Sequence, residues 1–231
     1  MADVWTTLTA RTRSDGGAPL VTSIDGSSRV ELSAVTLANA AAKIANALRG
    51  ELGLEPGDAV RVDLPLHWQL AAWQAGIWTA GLCIAESGPV ALHVSDGRQA
   101  PADGSTSIAV SLHPFGLPIE AALPRGVEDA TLLVRQQPDA YLLEPPASDL
   151  VGWRSAEGDV TQGRLLESAR EMGQSWGCSP GARLLVVEDA PHQRMSVLLA
   201  PLATGSAAVL LRGVADLEGV RMQERITAEV V

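Results

Sequence analysis

Lysine is almost missing from this chain. Lys43 stands alone beside sixteen arginines, so any chemistry that needs a lysine amine has one candidate. Cysteine stops at Cys83 and Cys178, too few for a disulfide framework. No Cys-x-x-Cys or His-x-x-x-His spacing suggests a metal site, and none is expected. Gly-x-Ser-x-Gly and Gly-x-Gly-x-x-Gly are absent too, so neither a nucleophile elbow nor a dinucleotide fingerprint is in view. Basic charge is in deficit: 17 Lys and Arg against 27 Asp and Glu leave a net charge of −10. That balance excludes nucleic acid and anionic membrane surfaces, which require a basic face. Long apolar runs are lacking as well. Residues 70–85 come nearest, but Gln74 interrupts them, they fall short of the ~20 residues of a membrane span, and no Lys or Arg flanks them. The first seventeen residues have no apolar core of a secretory signal, so a cytoplasmic location is expected.

What is present describes a globular α/β protein. The 231 residues, 46% hydrophobic and 19% charged, are enough for one domain, 1–231, with a sizeable core. Residues 1–28 read as a helix followed by a loop carrying Asp15-Gly16-Gly17 and Asp25-Gly26. Over 33–48, Leu37, Ala41, Ile44, Ala45 and Leu48 repeat at helical spacing behind Ser33 as N-cap. The turn Pro56-Gly57-Asp58 leads to a strand at 60–66, a helix at 67–79, Gly81 and a strand at 82–85. The middle, 86–150, is irregular: strands are expected at 90–94, 107–112 and 130–135, with a loop at 98–105 and a linker at 143–146.

From 159 the earlier pattern returns. A helix at 161–176 presents Leu165, Leu166, Ala169, Met172 and Trp176 on one face. Then come Pro180-Gly181, a strand at 183–187, Pro191-His192-Gln193, a helix at 195–203, Gly205 and a strand at 207–211, with a last helix at 220–228. The two stretches, near 29–85 and 159–231, share one order: helix, Pro-Gly turn, strand, His and Gln, helix, Gly, strand. Two βαβ repeats of this kind imply mainly parallel sheets covered by helices.

The segment 29–85 resembles the opening of the AMP-binding, adenylate-forming enzymes: acyl-CoA synthetases, peptide-synthetase adenylation domains and luciferases. Leu32-Ser33, Leu37, Ala45, Leu48, Leu52-Gly53, Pro56-Gly57-Asp58, Val60, Leu64-Pro65 and Ala80-Gly81 carry the resemblance, and 161–211 adds the family's proline–histidine segment. The expected fold is therefore a truncated N-terminal domain of that family. The resemblance also implies a lysine-bearing, glycine-rich phosphate loop before the second repeat. Here 151–159 is short, has no lysine, and places Glu157 and Asp159 where phosphates would lie. The family's adenine-binding, ribose-binding and lid motifs do not occur in the sequence.

Two functions remain. One is a catalytically inactive relative, with no catalytic residues, that binds a protein partner or a small acidic or acyl ligand without a cofactor. The other is an ATP-dependent acyl-CoA ligase, using ATP and Mg, that completes its site with a second chain. Self-association is left open. Open α/β sheets bind ligands beyond the carboxyl ends of their strands, where chain order reverses. The residues expected there are His192, Gln193 and Arg194, with Trp153 and Arg154 from the shortened loop. His192 matches the histidine beside the acyl pocket of relatives, and it also reads as a half-exposed opening of a helix. Trp68, Trp73 and Trp78 read as core bulk or, alternatively, an aromatic wall.

Overall fold

A computed structural model describes residues 2–98, 106–188 and 195–230. Helix α1 (Val4–Asp15) starts behind Asp3, whose carboxylate accepts from Thr6 N at 2.9 Å. The loop expected next is instead a hairpin of β1 (Pro19–Asp25) and β2 (Ser28–Ser33). β1 hides its nature because Thr22 and Ser23 are buried beside Leu20 and Val21 in mid-sheet, where polarity suggests exposure. Helix α2 (Ala34–Asn46) follows without a gap, its N-cap Ser33 accepting from Thr36 N at 3.2 Å, and a π-helical turn Ala47–Glu51 extends it.

Strand β3 (Ala59–Asp63) stops short of the expected 66, ahead of Pro65, which has no N–H for a ladder. Helix α3 (Trp68–Thr79) and β4 (Cys83–Ala85) complete the first repeat. The middle supplies β5 (Leu92–Ser95), β6 (Ser107–Ala109) and β7 (Val127–Asp129). The strand expected at 130–135 is helix α4 (Ala130–Arg135): Asp129 Oδ1 caps it by accepting from Thr131 N at 2.8 Å, and Ala130, Leu132, Leu133 and Arg135 are good helix formers beside the two β-branched residues Thr131 and Val134. Apart from Arg98, the loop expected at 98–105 falls largely outside the described residues.

The shortened loop at 151–159 is also corrected. It is a hairpin of β8 (Val151–Ser155) and β9 (Gly158–Thr161). Then come α5 (Gln162–Ser175), β10 (Arg183–Val187), a π-helical turn Met195–Leu199 running into α6 (Ala200–Thr204), and β11 (Ala207–Arg212). The last expected helix starts earlier and ends sooner, as α7 (Leu217–Gln223), before the short β12 (Ala228–Glu229).

Two mainly parallel sheets result, ordered β12-β10-β11-β1-β2 and β7-β6-β5-β3-β4-β8-β9. The repeats are related element by element: β1-β2-α2-β3-α3-β4 corresponds to β8-β9-α5-β10-α6-β11. Both hairpins carry a register shift early in their first strand, at Pro19/Val21 and Val151/Trp153. Gly81 and Gly205 both end helices in the left-handed region, which only glycine enters without strain. Each then accepts the same hydrogen bond, from Gly57 N at 2.9 Å and Gly181 N at 3.0 Å. Each repeat lends its hairpin to the other's sheet, β1 lying parallel to β11 and β8 parallel to β4.

Between the sheets lies a helical layer. All of residues 70–79 on α3 are buried, as expected of a helix enclosed on every side. One apolar cluster runs from Leu184 and Leu210 of the five-stranded sheet, through Trp78 and Leu165, to Val60 and Ile108 of the seven-stranded one. A second cluster, Leu185, Val209, Leu211 and Val220, lies on the other face of the five-stranded sheet under α7.

Candidate functional site

Strands β10 and β11 are neighbours whose outgoing connections leave opposite faces of their sheet. The connection after β10 packs into the shared helical layer, and that after β11 packs through Leu217 and Val220 on the outer face. Such a point opens a crevice beyond the strand ends. A cavity of about 630 Å³ occupies it, lined by Val187 and Glu188 after β10, Leu211, Gly213 and Val214 after β11, and Leu217 at the start of α7. Among the described residues its walls are apolar except for Glu188, a composition typical of small-molecule sites.

Polar groups gather at neighbouring strand ends. Arg212, at the end of β11, pairs with Asp25, at the end of β1. His67, just beyond β3, is 2% exposed and caps α3, its Nδ1 accepting from Gln69 N at 3.3 Å. Burial pushes its pKa down to about 4; the Arg212 guanidinium adds to the depression and Asp25 opposes it. The ring is therefore neutral and acts as a hydrogen-bond acceptor at neutral pH. The carboxyl ends of both sheets thus converge on the same side of the molecule.

The residues expected to line a site fare differently. His192, Gln193 and Arg194 lie outside the described residues, directly after the segment that ends at Glu188. Trp153 is half-buried against the main core. Arg154 holds Asp159 across the β8–β9 hairpin, Nε to Oδ1 at 3.0 Å and the second nitrogen to Oδ2 at 3.2 Å. Neither Trp153 nor Arg154 lines the crevice. The hairpin is fixed from below, where Trp78 Nε1 donates to Gly152 O at 2.8 Å and Gln162 Nε2 donates to Trp78 O at 2.8 Å. Its turn is closed internally: Glu157 N donates to Ser155 Oγ at 3.2 Å.

Lys43 lies on α2 and is bound to Gln137 O at 2.6 Å and Asp139 Oδ1 at 2.7 Å. Cys83 is buried, and burial pushes its thiol up to about 11; Cys178 is also buried, against the exposure suggested by its turn. Among the described residues no group of three His, Cys, Asp or Glu side chains is placed to hold a metal, and no helix is long and apolar enough to cross a membrane. Val187, Leu211, Val214 and Leu217 escape a motif reading because they are ordinary apolar residues. The available signal was only their position after two buried strands.

A TIGR03089 family protein from Mycobacterium tuberculosis (strain ATCC 25618 / H37Rv) is 36% identical over 234 residues, covering 95% of this chain and 92% of that protein. The chain belongs to the TIGR03089 family. No protein-family model matches it. Among solved structures, this TIGR03089 family member is similar to an acyl-CoA synthetase from Brucella canis, with a TM-score of 0.76 at 17% identity over 99% of the chain. It also resembles the N-terminal domain of FACL13 from Mycobacterium tuberculosis, with a TM-score of 0.70 at 15% identity over 99% of the chain. A third is the anthranilate CoA ligase AuaEII in complex with anthranoyl-AMP, with a TM-score of 0.73 at 12% identity over 98% of the chain. The fold is that of the N-terminal part of adenylate-forming enzymes. The chain spans 47%, 62% and 48% of those three structures' lengths respectively.

Proposed function

We propose that this TIGR03089 family member holds a small ligand with an acyl-type body in the strand-end crevice and does not adenylate it by itself. The observation that carries this reading is the β8–β9 hairpin, closed where the resemblance places a phosphate loop. A triphosphate needs several free backbone N–H groups and a cation. The hairpin offers Glu157, whose N–H is already taken by Ser155, and Arg154, whose guanidinium is committed to Asp159. Lys43 is anchored to Gln137 and Asp139. The donor set does not fit ATP. The acyl class follows from the apolar walls of the crevice and from relatives of the same fold named as acyl-CoA synthetase and anthranilate CoA ligase.

Calorimetry with octanoate and its methyl ester tests the binding half. Saturable binding is expected, and it should disappear in Ala215→Trp, which fills the crevice. Pyrophosphate exchange with ATP and a panel of carboxylic acids tests the other half, with no exchange expected. Exchange by the purified chain would replace this reading with that of a working ligase. Exchange appearing only on addition of a second protein would favour a site completed in trans.

A further inference from the structure

A second cavity, of about 230 Å³, shares no lining residue with the strand-end crevice and lies between α2, α4, the first turns of α3 and the segment after β6. Trp68, Trp73, Val110 and Phe115 give it aromatic and aliphatic walls. In a chain of net charge −10, its lining among the described residues includes two cations, Lys43 and Arg135, and no acidic residue.

Three details distinguish it from a packing defect. Trp68 Nε1 is buried without a hydrogen-bond partner among the described residues, an arrangement that costs stability. Arg135 is exposed and, among the described residues, has no ion-pair or hydrogen-bond partner, whereas Lys43 is held by Asp139 and Gln137 O. Phe115 is 84% exposed although it forms part of the wall. Its loop is fixed, with Phe115 N donating to His113 Nδ1 at 3.1 Å and Gly116 N to His113 O at 2.8 Å. Gly116 rests on the Trp68 indole: a β-carbon there would lie 3.6 Å from Cη2. An aromatic ring is thus held out in water at the mouth of a largely apolar cavity whose lining also carries a guanidinium without a protein partner among the described residues.

We propose that this cavity is a binding site for a small carboxylic acid bearing an aromatic ring. The ring would fill the space between Trp68, Trp73 and Phe115, and the carboxylate would take the Arg135 guanidinium as donor. Size agrees: a cavity of about 150 Å³ accommodates benzene, and the additional volume suits a short acid side chain. A neutral apolar ligand leaves the guanidinium unused, and an amine meets two cations and, among the described residues, no carboxylate. This site does not depend on the reading of the strand-end crevice.

The test is calorimetry of the full chain with 3-phenylpropionate and with 3-phenylpropylamine. The acid is expected to bind and the amine to bind at least roughly tenfold more weakly. Trp68→Phe, which keeps a ring but narrows the aromatic wall, and Arg135→Gln, an exposed change that leaves the core alone, should each weaken the acid by roughly threefold to tenfold. Ala40→Trp should abolish binding of the acid while leaving octanoate binding intact, so that failure here and failure at the crevice are told apart. In ¹⁵N spectra the indole resonance that Trp68→Phe removes should be the one that moves most as the acid is added. No saturable binding of the acid, equal affinity for the amine, or an acid isotherm unchanged by both Trp68→Phe and Arg135→Gln would overturn the proposal.

Discussion

Single polar side chains hold this fold at places where apolar packing alone would leave backbone groups without partners. Gln162 is fully buried; its Oε1 accepts from Val4 N at 3.2 Å and its Nε2 donates to Trp78 O at 2.8 Å, joining the start of α1, the end of α3 and the start of α5. Gln162→Leu keeps the volume and orphans the Val4 N–H, while Trp78 O still accepts from Gly81 N at 3.0 Å, so it should cost about 1–3 kcal/mol. Urea unfolding reads that loss; a loss below about 0.5 kcal/mol would mean that water reaches the Val4 N–H. His67 sets a second test. Its folded pKa of about 4 lies below the ordinary 6.5, because burial and Arg212 disfavour the imidazolium. Between those values the unfolded chain takes up a proton that the folded chain refuses. Stability is therefore full above pH 6.5 and falls as the pH drops toward 4, by about 3 kcal/mol at most. Glu224, held below its usual 4.5 by hydrogen bonds from Arg29, loses its contribution only under that pH. The window from 4.5 to 6.5 thus lies above the loss of the Glu224 contribution. His67→Asn retains an N-cap acceptor and should flatten the stability profile there, whereas an unchanged slope would assign it to other groups.

Elements with a clear apolar period were legible in the sequence. The helices at α2 and α5 were read within two residues, from Leu37 to Leu48 and from Leu165 to Trp176, and β10 was read at its bounds. What escaped did so for local reasons. Thr22 and Ser23 disguised a central strand, the Asp129 cap started α4 where a short, mostly apolar run reads as a strand, and Gly152 concealed a strand that must pass within van der Waals reach of Leu165 and Gln162. The crevice was legible only as a place, beyond the ends of β10 and β11, because its walls carry no motif. Close contact between α2 and α3 was equally hidden. A β-carbon on Gly76 would lie 2.4 Å from Ile44 Cγ2, so α3 approaches α2 more closely than any other residue there would allow. Gly76→Ala should therefore destabilise by about 1–3 kcal/mol despite its better helix propensity. Ile44→Ala alone should cost about 2–5 kcal/mol through its cavity. Together they should cost at least about 1 kcal/mol less than the sum, because the new methyl enters the vacated space. Strict additivity in denaturant titrations would show that the helices move apart instead.

At the scale of the whole molecule, the exchange of hairpins between repeats decides how the chain unfolds. Residues 19–33 complete the sheet built by 183–229, and residues 151–161 complete the sheet built by 59–129. Neither repeat can be removed without exposing an edge strand of the other. The buried carboxylate of Glu224 adds a second link in the same sense, accepting from Arg29 Nε on β2 at 2.7 Å and from Arg183 on β10 at 2.6 Å. One apolar cluster joins both sheets through the helical layer, so loosening either face opens the other. Cooperative all-or-none unfolding follows when the contacts that stabilise one half are also the core of the other. Leu184→Ala in the five-stranded sheet, at a fully buried position, should cost about 2–5 kcal/mol. The same loss should appear in hydrogen exchange at Val60 and Val62 of β3, in the sheet that Leu184 does not belong to. If protection at β3 survives while β10 exchanges faster, the two sheets open independently, and the hairpin exchange is a feature of topology without a share in stability.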